Sequence, residues 1–312
     1  MSTVGFRHDA GVFASAEERL QVVGGFLDDA ALEGIPAIVR WNGAASALLR
    51  ERLARPELVQ FVSGAEDPNP VRAVREMNEI AQEHLDRGAT QVRLVGEVPD
   101  QSMRDRDGWE QWARYEAAIN ELYAELPLWA LCCYPTWPDT TVADDVARTH
   151  TSIVDGDGRR TSSSYRAPRE FLERRPAMSA ELLDDRPPAF ELHDPHPALA
   201  REAVRRLSER AGFEQDQSDE LVLGAHEVVT NGTRHGRRPV VVRGWLGAGE
   251  LLLEVADSGD GVAGPFSGIL QPEGAERSRG GYGLWLARMC SDLVTFRHDR
   301  SGSAVRMAAR RH

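Results

Sequence analysis

The sequence predicts an α/β fold in two unlike forms along one chain, and three observations carry that prediction. Up to about residue 165, short apolar segments alternate with amphipathic helical segments, the pattern of a parallel sheet covered by helices on both faces. From residue 190 onward, two strand-like segments meet at Gly247-Ala248-Gly249 between helical segments, which suits a sandwich of one sheet and one helical layer. Between the halves, residues 166–189 are broken by Pro168, Pro176, Pro187 and Pro188, and a chain so punctuated makes a linker rather than a long helix. A length of 312 residues leaves enough chain for a core in each half.

In order, residues 1–11 show no apolar period and read as an irregular lead-in containing His8. Ser15-Ala16-Glu17-Glu18 is a capping box, and Leu20, Val23, Phe26 and Leu27 give the helix behind it an apolar stripe. A strand at 35–41, a helix at 44–55, a strand at 58–62, a helix at 71–87 and a strand at 92–98 come next. A longer helix at 109–126 leads to a strand at 128–134, and residues 141–165 read as a helix and then a hairpin around Asp155-Gly156-Asp157-Gly158. In an open parallel sheet, ligands gather beyond the carboxyl ends of the strands. That rule marks Trp41, Asn42, Glu97 and Tyr134, with His8 and His150, as candidates for a pocket holding a small, partly apolar or aromatic molecule, or a docked protein. Ordinary packing would account for any one of them singly.

The second half opens with a strand at 190–192, an arginine-rich amphipathic helix at 198–211 and a helix at 219–236. In the last of these, Glu227, Asn231 and His235 stand four residues apart and so share one face. Leu221, Val222, Val228 and Val229 supply the apolar surface that seats the helix in a core. Alone, such a strip is compatible with a plain solvent-facing surface; the segments downstream of it give it meaning. Strands at 240–246 and 251–256 form a hairpin whose second arm runs into Asp257-Ser258-Gly259-Asp260-Gly261. A glycine-rich polar stretch, 264–278, leads to Arg279-Gly280-Gly281-Tyr282-Gly283 and an apolar helix at 284–289. Glycines at a helix start suit phosphate, because unpaired amides and the helix dipole both favour an anion there. Strands at 293–298 and 304–309 finish what is expected to be a mixed sheet with helices on one face.

Composition narrows the chemistry. A net charge of -12 disfavours nucleic acid as the main partner. With no apolar run of membrane-spanning length and no signal pattern, a cytoplasmic location is expected. Cys132, Cys133 and Cys290 form neither a disulfide framework nor a zinc spacing, and are expected to be reduced and buried. All 37 basic residues are arginine. Without lysine there is no Walker A loop, no Schiff base and no protein-kinase-type catalytic site. Charge neutralisation at a nucleotide phosphate then falls to metal, backbone amides or arginine, with Arg277 and Arg279 as candidates beside their plainer role of keeping a loop soluble.

The Glu227/Asn231/His235 helix, the Asp257-to-Gly261 turn and the Arg279-to-Gly283 helix start resemble, in that order, the N, G1 and G2 boxes of the GHKL ATPase superfamily. The form of the first box looks most like the anti-sigma-factor serine/threonine kinases. The resemblance implies ATP and Mg²⁺ as cofactors. It makes Asn231 the Mg²⁺ ligand through its amide oxygen, Asp257 the acceptor for the adenine amino group, Gly259 and Gly261 the walls of the adenine pocket, and Glu227 the general base. It assigns Gly281 and Gly283 to a phosphate lid and counts His235, Arg279, Gly280 and Leu284 among the ATP-binding residues. One departure is Gly232, where that group more often has alanine; glycine costs the helix about 1 kcal/mol.

In the first half, Gly96-Glu97, the Trp112/Tyr115-Glu116/Asn120 helix and Leu131-Cys132-Cys133-Tyr134, with the order of elements, resemble the MEDS sensory domain. The resemblance implies a RecA-like parallel sheet that has lost its phosphate loop. The loop after the strand at 35–41, Trp41-Asn42-Gly43-Ala44-Ala45-Ser46, has no lysine, so ATP turnover is not expected there. The expected layout is a MEDS-like sensory domain at 1–165, a linker at 166–189 and a GHKL ATPase domain at 190–312.

By resemblance, then, the chain is an ATP-binding regulatory protein, an anti-sigma-factor-type serine/threonine kinase controlled by its first domain. The implied partners are a STAS-type anti-anti-sigma protein or a sigma factor, and related kinases are often homodimers. Two alternatives stay open: a nucleotide-dependent switch without turnover, and an atypical sensor histidine kinase whose acceptor lies on another chain. The second needs that other chain because His193 and His196 are flanked by prolines, with no two-helix phosphoacceptor hairpin before the ATPase domain.

Overall fold

The computed structural model describes every residue except 1–4, 65, 66, 68, 105, 135–139, 176–185, 248, 262–265, 270, 272–280, 301 and 312. The chain divides into two compact units, residues 1–174 and 175–312. Among the described residues, no helix is long and apolar enough to cross a membrane.

The strands of the first unit are β1 (Arg7–Val12), β2 (Ala37–Arg40), β3 (Val59–Val62), β4 (Val92–Glu97), β5 (Leu128–Tyr134), β6 (Ser152–Asp155) and β7 (Gly158–Thr161). They form one sheet in the order β3-β2-β4-β5-β1-β6-β7. Every pairing is parallel except that of β7 with β6. The helices are α1 (Ala16–Glu33), α2 (Gly43–Arg52), α3 (Pro70–Asp86), α4 (Asp100–Arg104), α5 (Arg106–Leu122), α6 (Thr140–Thr149) and α7 (Pro168–Glu173).

Strand side chains alternate between two faces, and the sheet is covered on both. Val39, Trp41, Val95, Leu131 and Cys133 pack with α1 and α2, whereas Ile38, Leu94 and Ala130 pack with Met77 of α3 and Ile119 of α5. The capping box is real in outline. Ser15 Oγ accepts from Glu18 N at 3.1 Å, and Glu18 Oε2 reaches back to accept from Ala14 N at 2.8 Å.

Residues 7–12 correct the sequence reading. They are not an irregular lead-in but β1, set between β5 and β6 near the middle of the sheet. Polar residues hid it, because His8 and Asp9 are each only 1% exposed there. Asp9 is held by Trp129 Nε1 at 2.8 Å and by the Arg159 guanidinium at 2.9 and 3.1 Å, so its burial is compensated. The loop after the first strand is therefore Phe13-Ala14-Ser15, and Trp41 to Ser46 follows the second; neither contains lysine. Within the proline-broken stretch after 165, α7 forms with Pro168 in its first turn, where a missing N–H costs nothing, and buries Phe171 and Leu172.

The second unit has β8 (Phe190–His193), β9 (Val241–Leu246), β10 (Glu250–Asp257), β11 (Leu293–Asp299) and β12 (Gly302–Arg310) in the order β11-β12-β10-β9-β8. The sheet is antiparallel throughout rather than mixed, because β9–β10 and β11–β12 are tight hairpins that return the chain beside itself. Three helices, α8 (Pro197–Ala211), α9 (Gln215–His235) and α10 (Gly281–Met289), share a core with one face of it. Leu221, Val222, Val228 and Val229 of α9 meet Leu251, Leu253 and Val255 of β10 in that core. Burying each such side chain contributes roughly 1.5–3 kcal/mol, and this fixes which face of α9 is left to carry Glu227 and Asn231. On the other face of β10, buried Glu254 lies between Arg243 at 3.1 Å and Arg306 at 2.7 Å.

Candidate functional site

A cleft of about 550 Å³ opens between α9, α10 and the end of the sheet in the second unit. Asn231, His235, Asp257, Gly259, Gly261 and Leu284, widely separated in sequence, all line it. The volume falls in the range of small-molecule and cofactor sites.

Each wall follows from local structure. Asp257 ends β10, where the strand gives way to the turn at Ser258 and Gly259. Its Oδ1 accepts from Gly259 N at 2.6 Å and Arg237 N at 3.1 Å, while Oδ2 accepts from Ser303 Oγ at 3.0 Å. The carboxylate is thereby oriented, and Oδ2 keeps one lone pair for a further donor. Gly259 packs on that carboxylate, since a β-carbon there would fall 2.6 Å from Asp257 Oδ1. Gly261 has φ +82°, a left-handed backbone that glycine adopts without strain.

On the opposite wall, Asn231 Nδ2 is buried with no hydrogen-bond partner, an arrangement a bound group would satisfy. Gly283 of α10 approaches it so closely that a β-carbon would lie 2.8 Å from Asn231 Nδ2 and from Glu227 Oε2. Glu227 is half-buried beside this contact and does not itself line the cleft. Gly268 packs its backbone on Leu284, so a described part of the expected lid sits over the start of α10, and Gly281 opens that helix. Arg277, Arg279 and Gly280 lie outside the described residues. Phe296 and His298 of β11 and Ser303 of β12, outside the residues that the sequence marks, join the cleft. The signal for Ser303 is its cross-strand pairing with Asp257, which only the fold supplies.

The sensory candidates fall into two environments. Asn42 Oδ1 caps α2 by accepting from Ala45 N, and its Nδ2 donates to Glu97 Oε2 at 3.0 Å. Glu97 also takes Arg19 at 2.5 Å, and the Arg19 guanidinium lies 4.8 Å over the Trp41 ring, so these four residues form one network. Tyr134 is elsewhere, edge-on to His150 at 5.8 Å. Residues 132 and 134 of β5 point to the α5 side while Trp41 packs with the opposite layer, which puts Trp41 and Tyr134 on different faces; Glu97, at the end of β4, also lines the α5-side cavity that reaches Glu116 and Cys132.

Next to Tyr134, His8, Glu116, Cys132 and His150 bring their ligating atoms within 4.8 Å of one another. Burial, and then the neighbouring His150, push His8 below its ordinary value against the pull of Glu116. Burial pushes the Cys132 thiol well up. Burial would also raise the Glu116 carboxyl, but contacts with His150 and His8 outweigh it and hold the group below the usual carboxylate range. Cys133 is buried on the other face, and all three cysteines are free.

Comparison with known proteins matches two families to the chain. MEDS, the MEthanogen/methylotroph, DcmR Sensory domain, matches residues 7–151, and HATPase_c_2, the histidine kinase-like ATPase domain, matches residues 190–309. No curated protein compared with the chain matches it. Among solved structures, the RsbU and RsbW domains of Rv1364c from Mycobacterium tuberculosis are similar over 40% of this chain and 33% of that one, at 20% identity and a TM-score of 0.29. ATPases 2 and 3 of EssC from Geobacillus thermodenitrificans are similar over 47% and 32%, at 10% identity and a TM-score of 0.28. Each of these matches spans about a third of the other chain, and likeness so slight carries no argument about function.

Proposed function

From a chain that carries a MEDS sensory domain followed by a histidine kinase-like ATPase domain, we infer an ATP-binding regulatory protein, and we propose that it is an anti-sigma-factor-type serine/threonine kinase controlled by its first domain. The observation that carries the reading is the meeting of Glu227, Asn231 and Gly283 at the edge of the cleft that Asp257 lines. Asp257 Oδ2 would accept from the adenine amino group, and the Asn231 amide would hold the cation. Mg²⁺-ATP, when bound, supplies the phosphoryl group and the charge neutralisation around it. Glu227 would accept the proton of a serine or threonine hydroxyl on the partner, a role that needs a carboxylate near the cation site and reachable from solvent.

A STAS-type anti-anti-sigma protein or a sigma factor is the partner proposed for this surface. Phosphorylation of the chain's own histidines is not part of the proposal. His193 lies on β8 paired with Glu191, and the Nδ1 of His196 accepts from Ala198 N at the start of α8, so neither sits on a phosphoacceptor helix. The test is transfer of labelled phosphate from ATP to a STAS-type partner by the full chain and by Glu227→Gln. Loss of transfer with ATP binding retained is expected. Transfer at the wild-type rate would remove Glu227 from the mechanism, and ATP binding with no transfer by the wild type would leave a switch without turnover.

A further inference from the structure

We propose that the first unit binds a divalent transition-metal ion, zinc in the first instance, through His8 Nε2, His150 Nε2, a Glu116 carboxylate oxygen and the Cys132 thiolate. Four separate segments deliver these groups: β1, the residue after α6, α5 and β5. The inference is independent of the nucleotide reading of the second unit.

Hydrogen bonds on the far side of each imidazole orient the site. Asn120 Nδ2 donates to the carbonyls of Glu116, Ala117 and Thr149 at 2.9, 3.2 and 2.9 Å, which leaves Asn120 Oδ1 as an acceptor. His8 Nδ1, 3.2 Å from that oxygen, must therefore carry the proton. His150 Nδ1 lies 2.9 Å from the Val146 carbonyl and must carry its proton too. Both Nε2 atoms then turn lone pairs toward one point. His8 Nε2 is 3.1 Å from Glu116 Oε2 and 3.3 Å from Cys132 Sγ, and His150 Nε2 is 3.4 Å from the same carboxylate oxygen.

Three lone-pair-bearing atoms at such distances repel unless a metal ion or a shared proton lies among them. Consistent with that need, Glu116 Oε2 and His150 Nε2 are buried polar atoms without a hydrogen-bond partner. Nitrogen and oxygen ligands about 2.0–2.1 Å from a tetrahedral centre stand about 3.3 Å apart, close to the spacings here. Imidazoles whose outer N–H is tied to a carbonyl or amide oxygen are the usual support of a metal ligand. Two neutral imidazoles, one carboxylate and one thiolate carry two negative charges in total, which neutralises a divalent ion, and the mixed nitrogen and sulfur set favours zinc among common cations. A small, mostly apolar cavity lined by Met77, Trp112, Tyr115 and Ile119 reaches Glu116 and Cys132, giving an approach from that side.

The test uses the full chain, purified without a histidine tag, and reads metal by elemental analysis and by substitution with Co²⁺. We expect about one zinc per chain and, with Co²⁺, strong tetrahedral ligand-field bands plus a thiolate-to-cobalt charge-transfer band. Cys132→Ser should abolish the charge-transfer band, and His150→Gln should weaken metal binding at least tenfold, with circular dichroism showing both variants folded. Metal-free protein that gives no cobalt spectrum on titration would overturn the proposal and leave a proton shared among these groups. Cobalt bands unchanged in both variants would also overturn it, by placing the ion elsewhere; a cation held only by oxygen ligands near Asn231 would show no charge-transfer band at all.

Discussion

Gly283 and Asn231 are in contact across the gap between α10 and α9: a β-carbon on Gly283 would stand 2.8 Å from Asn231 Nδ2, and as close to Glu227 Oε2. The glycine therefore lets the start of α10 close over the polar strip of α9. In Gly283→Ala the Asn231 amide and the Glu227 carboxylate, both ends of flexible side chains, must swing aside, while alanine favours the helix by up to about 1 kcal/mol, so stability without ligand should change little. A much smaller ATP-induced stabilisation is expected, because both displaced groups belong to the polar strip, read by melting with and without Mg²⁺-ATP. An alanine variant that keeps the full ATP effect would show that this contact does not shape the nucleotide site.

Asp257 is the second handle on the cleft. Its Oδ1 serves two backbone amides and its Oδ2 accepts from Ser303. Asp257→Asn puts an amide NH₂ where one of those acceptors stood and removes the acceptor for the adenine amino group. The fold should lose about 1 kcal/mol, because the Ser303 hydroxyl can turn to accept instead. Adenine nucleotide binding, measured by calorimetry, should fall well over tenfold. Equal binding by both proteins would mean that adenine is read by other groups.

The legibility of these features was uneven for physical reasons. The alternation of strands and helices in the first half was plain because a parallel sheet buried on both faces needs continuous apolar strands, as in 128–134. β1 escaped because His8 and Asp9 replace apolar residues in a central strand, and a periodicity search is blind to polar groups that the fold satisfies. In the second half, Asn231, Asp257 and Gly259 could be picked out because glycine spacing and helix phase are local signals. Ser303 could not, since it enters the cleft only through the β10–β12 register. Trp41 and Tyr134 were grouped by their common position at strand ends, and the period-2 alternation of side chains then assigned them to different faces. α7 lay hidden in a proline-rich run because proline opens a helix as readily as it breaks one.

Glu97 holds the end of β4 to two other elements. It is 9% exposed, pairs with Arg19 of α1 at 2.5 Å and accepts from Asn42 Nδ2 at 3.0 Å. Removing one member of a buried pair strands the other, so Glu97→Ala should destabilise the protein by about 3 kcal/mol. A double replacement of Glu97 and Arg19 by apolar residues of similar size should recover much of that loss, because no charge is left uncompensated. Urea unfolding of the three proteins checks the order; a double variant less stable than Glu97→Ala would contradict it.

Gly232 sits in the interior of α9, where alanine would ordinarily stabilise the helix by about 1 kcal/mol. The fold opposes that gain. A β-carbon at 232 would lie 3.1 Å from Cγ1 of Val255 in β10 and 3.4 Å from Cγ1 of Val240 just before β9, so these valines must yield a few tenths of an ångström. Propensity and crowding are of similar size here, and Gly232→Ala alone should change stability by no more than about 0.5 kcal/mol. Val255→Ala removes the nearer methyl at its own cost in burial and so frees the space. In the double variant the helix gain should then appear as a favourable coupling of about 0.5–1 kcal/mol in a double-mutant cycle. Additive effects would mean that crowding against β10 is not what keeps glycine compatible with this position, one turn from the polar strip at Glu227 and next to Asn231.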